Sequence, residues 1–161
     1  MMIIRSATQL DLPQLADLTR READWLNYIA AKQARSDSRI EVAEQDGNVV
    51  GFITVRVIQR GRQKQDGWLG NTVRKLLNCS GPKADTILQP IRIGFVEELF
   101  VDPALRDQNV ATALIESATQ WLQQQLVDEF QTEISPDDAA SQDLFCKLGF
   151  ETSQFLVRKR L

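Results

Sequence analysis

The segment RDQNVA, residues 106–111, lies between a strand-like run, residues 91–101, and an amphipathic helical pattern. The first amides of a helix have no partner inside the helix, and together with the helix dipole they attract anions. Arg106 adds a full positive charge. The segment has no glycine, but Asn109 adopts a positive φ more readily than most residues. We therefore expect its backbone amides to bind a phosphate, with less clearance than glycine would leave.

The residue types restrict what other chemistry is available. The 161 residues include no histidine and two cysteines, Cys79 and Cys146. This composition excludes Ser-His-Asp and Cys-His pairs and leaves too few ligands for a closed zinc site, so we expect no metal. A general base must then be a carboxylate, a lysine or a bound water. The first residues show no secretory signal pattern, which predicts a cytoplasmic protein with reduced thiols.

Periodicity predicts the elements that position these groups. Residues 2–6 predict a strand, and the helical spacing that follows begins with Thr8 and Asp11, placed for a capping box. Asp46-Gly47 joins two runs rich in β-branched residues and predicts a type I′ hairpin. The early part of the chain is therefore expected to form a strand, a helical region and two paired strands.

The remaining elements complete a single sheet. Residues 91–101 predict the longest strand, and from Val110 apolar residues repeat at a helical period. Residues 59–89 are polar, Gly-rich and basic, and they predict an insertion between strands. Alternating strands and helices with one hairpin predict a single domain, residues 1–161, of the α/β or α+β class with strands of mixed direction.

Three stretches resemble, in order, the motifs of the Gcn5-related N-acetyltransferase (GNAT) family. The run VEELFVDPALRDQNVATALIESA is similar to its motif A, whose loop reads Arg/Gln-x-x-Gly-x-Gly/Ala, although Asn109 replaces the first glycine. The run DDAASQDLFCKLGFE resembles the closing block, and IRSATQLDLPQL resembles the first strand and helix. The resemblance implies a three-layer fold, with a central mixed, mostly antiparallel sheet flanked by helices.

The resemblance also implies acetyl-CoA as the co-substrate and an amine as the acceptor. In the family, backbone amides at the end of the long strand hold the pantetheine arm and loop amides hold the pyrophosphate. The cofactor-binding residues so implied are Leu99, Phe100, Val101, Arg106, Asp107, Gln108, Asn109, Val110, Ala111, Asp138 and Phe145.

Acetyl transfer to an amine requires a base, and two adjacent glutamates are candidates. Regular alternation puts Glu97 on the face of Leu99 and Val101 and Glu98 on the opposite face, although a β-bulge could exchange them. We favour Glu97 as the base, with Glu98 as the alternative. Both could instead be ordinary ion-pair carboxylates.

Two further positions depart from the family pattern. Phe145 replaces a tyrosine that the family often uses as the acid. We interpret it as an aromatic residue that lies in the core or packs against the cofactor. The one tyrosine, Tyr28, could protonate the thiolate if the fold brings it to the site, and otherwise water does so. Asp138 replaces an asparagine that bonds the cofactor arm, and its alternative role is the capping-box acid of a helix that begins at Ser135.

The sequence leaves several functions open. The first is an acetyl-CoA-dependent N-acetyltransferase, and the second is a degenerate module of the same fold that binds acyl-CoA or a partner without turnover. Between Arg56 and Arg92 there are eight Lys or Arg against two Asp or Glu, in a chain of net charge −3. We interpret this stretch as solvated and do not expect nucleic acid or a membrane as a partner; a homodimer stays open.

Overall fold

A computed structural model describes residues 1–20, 23–63, 88–105 and 109–152. Its strands are β1 (Met2–Ser6), β2 (Ser38–Gln45), β3 (Asn48–Gln63), β4 (Leu88–Val101) and β5 (Glu129–Thr132). Its helices are α1 (Leu12–Thr19), α2 (Ala23–Gln33), α3 (Val110–Gln124) and α4 (Ala139–Lys147), with short 3₁₀ turns at Gln9–Asp11 and Pro103–Leu105. None of the helices in these ranges is long and apolar enough to cross a membrane.

The strands form one sheet in the order β1-β2-β3-β4-β5. The first four strands are antiparallel to their neighbours, and β5 runs parallel to β4. Asp46 and Gly47 join β2 to β3 with φ angles of 51° and 84°, as a type I′ turn requires. The mixed, mostly antiparallel sheet and the hairpin predicted from the sequence are confirmed.

Helices cover both faces of the sheet, which gives the three layers. On the α1/α2 face, Leu15 and Ile29 pack against Ile40, Val42 and Phe52 of the sheet. On the α3/α4 face, the apolar side of α3 packs against another set of strand residues. That core comprises Ala43, Val50, Ile53, Val55, Val96, Val101, Val110, Leu114, Ile115, Ala118 and Phe145.

The α3/α4 face also contains a buried charge. Glu41 of β2 is 1% exposed, and its Oε1 lies 2.8 Å from Nε of Arg39. The Arg39 guanidinium in turn lies 5.8 Å from the ring centre of Trp121 on α3. This ion pair therefore forms part of the packing between the sheet and α3.

The predicted insertion is shorter than expected. β3 continues to Gln63 and β4 begins at Leu88, so both ends of residues 59–89 are strand. Residues 64–87, with Cys79, lie outside the described residues, as do residues 153–161. The other cysteine, Cys146, is an exposed free thiol.

Candidate active site

One extra residue in β4 determines where the two glutamates point. Glu98 pairs with Thr54 of β3, whereas the next residue of β3, Val55, pairs with Val96, so Glu97 is a β-bulge. Leu99 and Val101 consequently pack on the α3/α4 face, while both glutamates contact α2. The predicted division of the glutamates between opposite faces is wrong: the bulge brings both to the same face.

Glu97 lies between two cations. Nζ of Lys32, on α2, donates a hydrogen bond to Oε2 of Glu97. Nε of Arg56, on β3, lies 3.3 Å from Oε1. The side chains of Lys32 and Glu97 are only 9% and 13% exposed, so solvent screens their interaction weakly.

The pKa of Lys32 is lowered from 10.5 to about 8, mainly by burial. The nearby charges of Arg56 and Arg35 contribute to this lowering, and the charge of Glu98 opposes it. Nζ of Lys32 also lies 4.4 Å from the ring centre of Tyr28, one turn earlier on α2. The fold therefore brings Tyr28 to the edge of the site, where it is about half exposed.

Sequence analysis did not single out Lys32. A signal was present, because Trp25, Ile29 and Lys32 follow the spacing of one helix face and Ile29 is fully buried. A lysine at such a position must find a partner when the helix packs. The identity of that partner depends on how α2 sits on the sheet, which helical spacing alone does not give.

Glu98 has a different environment. Nε1 of Trp25 donates a hydrogen bond to its Oε2 at 3.3 Å. The residue opposite in the register is Thr54, which is fully buried and whose hydroxyl has no hydrogen-bond partner among the described residues. The two adjacent carboxylates thus differ: one is held by cations and the other by a neutral indole.

The end of β4 offers backbone groups for a ligand. β5 pairs with β4 only as far as Val96 and Thr132, whereas β3 stays paired with β4 to Val101. Alternate residues of a strand direct their N–H and C=O groups to opposite sides. About half of these groups between Glu97 and Val101 therefore face the side that β5 no longer covers, and Leu99, Phe100 and Val101 lie in this stretch.

The start of α3 lies beside this stretch. A Cβ on Gly51 of β3 would come within 2.9 Å of the Phe100 carbonyl oxygen and 3.3 Å of Val110, so glycine permits the close packing there. Asn109 precedes α3 with φ 59° and ψ 16°, the left-handed conformation expected for it. The side chain of Val110 is fully buried in the core, so only its backbone remains for an anion.

Only part of the predicted phosphate loop is described. Asn109, Val110 and Ala111 form the start of α3, and the N–H of Ala113 bonds back to the carbonyl of Asn109. The amides before it point out of the helix end, as an anion site requires. The predictions for Arg106, Asp107 and Gln108 concern residues outside the described ranges.

Asp138 and Phe145 have clear structural roles. Asp138 is the N-cap of α4: it accepts hydrogen bonds from the backbone N–H of Ser141 at 3.0 Å and from its hydroxyl at 2.6 Å. The prediction that the helix begins at Ser135 is therefore wrong. Phe145 is 5% exposed, and its ring centre lies 5.0 Å from that of Phe150, edge to face.

The chain is similar to a known protein family and, over part of its length, to a curated relative. Residues 5–150 match the model of the acetyltransferase (GNAT) family. The aminoglycoside N(6′)-acetyltransferase type 1 of Acinetobacter haemolyticus is 35% identical over 65 residues, which are 40% of this chain. The match spans 45% of that relative's length, less than half of it.

Solved structures share the fold. The complex of AAC(6′)-Iy with the bisubstrate analogue CoA-S-monomethyl-acetylneamine has a TM-score of 0.72 and 20% identity, over all of this chain and 98% of that chain. A transcriptional regulator from Bacillus halodurans C-125 has a TM-score of 0.73 and 13% identity, over the whole of both chains. At these identities the similarity concerns the fold and not the activity.

Proposed function

Because the chain belongs to the acetyltransferase (GNAT) family, we propose that it transfers an acetyl group from acetyl-CoA to a primary amine, by direct attack in a ternary complex. The family and the three-layer fold predicted from the sequence are confirmed. One observation carries the proposal: two carboxylates lie side by side on β4 at the point where β5 stops pairing with it.

The acetyl-CoA arm would bind along the end of β4. About half of the backbone N–H and C=O groups of Leu99, Phe100 and Val101 face the uncovered side of the strand, and these would hold the pantetheine amides. The pyrophosphate would bind at the start of α3, on the amides of Asn109, Val110 and Ala111, where a helix N-terminus favours anions. Contributions from Arg106, Asp107 and Gln108 remain predictions from the sequence.

The reaction requires a proton acceptor for the attacking nitrogen. In this proposal Glu97 takes the proton, because it is the extra residue at the bulge, directly after the last residue of β4 that pairs with β5. Glu98 lies next to it and would hold a cationic acceptor in place. The thiolate would receive its proton from Tyr28, at the edge of the site, or from water.

The acceptor class is suggested by the relatives. The curated relative is an aminoglycoside acetyltransferase, and the AAC(6′)-Iy complex contains an aminoglycoside-derived analogue. Aminoglycosides are therefore the first acceptors to test, followed by polyamines, amino acids and lysine-containing peptides. A cytoplasmic location remains a prediction.

Two measurements test the proposal. Acetyl-CoA should raise the midpoint of thermal unfolding, since a ligand that binds only the folded state stabilises it. Loss of the thioester should then depend on one of the amines in the screen. If millimolar acetyl-CoA gave no shift, the proposed function would be wrong.

Glutamine variants test the assignment of the base. We expect Glu97→Gln to lower kcat by about 100-fold or more, the range that a positioned general base contributes. Glu98→Gln should mainly raise KM for a cationic acceptor. A larger fall of kcat in Glu98→Gln than in Glu97→Gln would exchange the two roles, and unchanged turnover in both variants would exclude a carboxylate base.

A second function is favoured by one specific observation. Lys32 and Arg56 hold the Glu97 carboxylate from both sides, an arrangement that also suits a purely structural ion pair. The alternative is therefore a module that binds acyl-CoA or a protein partner without turnover. Stabilisation by acetyl-CoA together with no thioester loss across the whole amine screen would favour this alternative.

A further inference from the structure

Lys32 is a buried titratable group in contact with the candidate base, and the proposed reaction does not yet use it. Its side chain is 9% exposed, its Nζ donates to Glu97, and it lies above the Tyr28 ring. A lysine that merely anchors α2 to the sheet could be replaced by arginine, which binds carboxylates at least as well. Arginine is the partner of Glu41, the buried glutamate on the opposite face of the sheet.

We propose that Lys32, acting through Glu97, is the residue that holds the proton removed from the acceptor amine. This inference rests on the proposed function. Lys32 is in this sense a positioning residue, because it contacts Glu97 and not the reacting atoms.

The geometry explains why Glu97 needs such a neighbour. With Lys32 protonated, two cations flank the carboxylate and favour its ionised form, so it holds an added proton poorly. When Lys32 is neutral, one of the two flanking charges is removed, and the lone pair of its Nζ can accept a proton from Oε2 of Glu97. The neutral form is accessible near neutral pH because burial lowers the pKa of Lys32 to about 8.

The step balances as follows. The acceptor nitrogen forms a bond to the acetyl carbon, and the bond from that carbon to sulfur breaks. The nitrogen loses a proton to the Glu97 carboxylate, which passes a proton along its hydrogen bond to the neutral Nζ of Lys32. The sulfur leaves as a thiolate and takes a proton from Tyr28 or solvent. Before the next turnover Lys32 returns its proton to solvent, and Tyr28, where it was the donor, regains a proton from solvent.

Charged and titratable groups reach Lys32 from each described element that packs against it. They are Tyr28 on α2, Arg35 just after the end of α2, Arg56 on β3, and Glu97 and Glu98 on β4. Arg35 is itself paired with Asp37 at 2.6 Å and is exposed. Within the described part of the chain, Nζ donates a hydrogen bond to Glu97, so Glu97 is the route through which Lys32 acts.

The test compares Lys32→Arg with Lys32→Met in the full chain. For the wild type, kcat would be measured from pH 6 to 10 by thioester loss, with acetyl-CoA and the amine that turns over fastest in the screen. We expect kcat to rise up to about pH 8. Arginine keeps the ion pair but stays protonated, so Lys32→Arg should lose about 100-fold in kcat at pH 8, and the rise near pH 8 should disappear.

Lys32→Met serves as the second variant, in case arginine is too large for the site, and should show the same loss. Lys147→Met is the matched control, since Lys147 is an exposed lysine paired with Asp143 on α4, and its kcat and pH profile should equal those of the wild type. Thermal stabilisation by acetyl-CoA would establish that each variant is folded.

The outcomes separate the two proposals. If Lys32→Arg keeps at least half of the wild-type kcat and the same pH profile, or if Lys32→Met does, Lys32 holds no proton and the inference is overturned while the proposed function stands. If the wild type binds acetyl-CoA but acetylates none of the amines, the proposed function fails and the inference fails with it.

Discussion

Each face of the sheet carries a glutamate paired with basic side chains, but the two pairs differ in chemistry. On the α3/α4 face, Glu41 is 1% exposed beside Arg39, which stacks on Trp121. On the α1/α2 face, Glu97 lies at a bulge between Lys32 and Arg56. Arginine stays protonated in proteins, whereas a buried lysine can lose its proton. The pair of Glu41 and Arg39 can therefore only stabilise the fold, whereas the pair of Glu97 and Lys32 can also change its net charge when Lys32 loses its proton.

The largest effect is expected from breaking the pair on the α3/α4 face. Arg39→Met leaves the buried Glu41 carboxylate without its cation, which should lower the free energy of unfolding by about 3 kcal/mol. Urea unfolding would measure this. Arg35→Met, which breaks an exposed pair with Asp37, is the control and should cost less than about 1 kcal/mol. Equal costs would mean that burial does not distinguish the two pairs.

A pH series should distinguish the two pairs, because the contribution of Lys32 to stability changes with pH and that of Arg39 does not. The folded-state pKa of Lys32, about 8, lies below its unfolded value of 10.5, so between these pH values the unfolded chain binds a proton that the folded chain does not. Wild-type stability should therefore rise with pH across this window relative to Lys32→Met, with a slope of up to about 1.4 kcal/mol per pH unit. The difference between wild type and Arg39→Met should stay flat, because arginine keeps its charge. A flat line for Lys32 would contradict its lowered pKa.

Substitutions at Asn109 test the N-terminus of α3, where we propose that the pyrophosphate binds. Its φ of 59° costs a residue with a Cβ about 1–2 kcal/mol, which asparagine tolerates and glycine avoids. Asn109→Ala should therefore lower stability by about 1 kcal/mol and weaken binding of acetyl-CoA, while Asn109→Gly leaves both nearly unchanged. Asn109 makes no side-chain capping bond, so the comparison isolates the backbone. Tighter binding by Asn109→Gly would mean that the side chain restricts the pyrophosphate.

The smallest effect is expected at the start of α4, on the same face. Asp138→Ala removes the N-cap bond to Ser141 and should lower the free energy of unfolding by about 1 kcal/mol. Isothermal titration should give the same Kd for acetyl-CoA as in the wild type. A clearly weaker Kd would assign Asp138 to the cofactor site, as the resemblance to the family implied.

The sequence was informative where local rules decide the structure. The Asp46-Gly47 turn, the left-handed Asn109 and the contact of Thr8 with Asp11 follow from residue type and spacing. The adjacent glutamates were found because no histidine is available as a base.

The sequence was less informative where the structure depends on packing between elements. The bulge at Glu97 follows from how β3 and β4 align over their whole length, and no residue type in the strand predicts it. The partner of Lys32 depends on where α2 lies on the sheet. The N-cap of α4 could be misplaced because Ser135 and Asp138 are both good caps, and the backbone turn between them places the start at Asp138.

The bulge has a consequence for insertions and deletions. Removing one residue from a central strand normally turns every later side chain to the opposite face of the sheet. In β4 the reverse holds: without Glu97, Val96 would be followed directly by Glu98, and strict alternation would keep Leu99, Phe100 and Val101 on the faces that they now occupy. A chain shortened by this one residue should therefore fold, with a continuous ladder and a single carboxylate in place of two. In this strand the shortened chain would alternate regularly, whereas the full chain has the additional carboxylate that the proposed reaction uses.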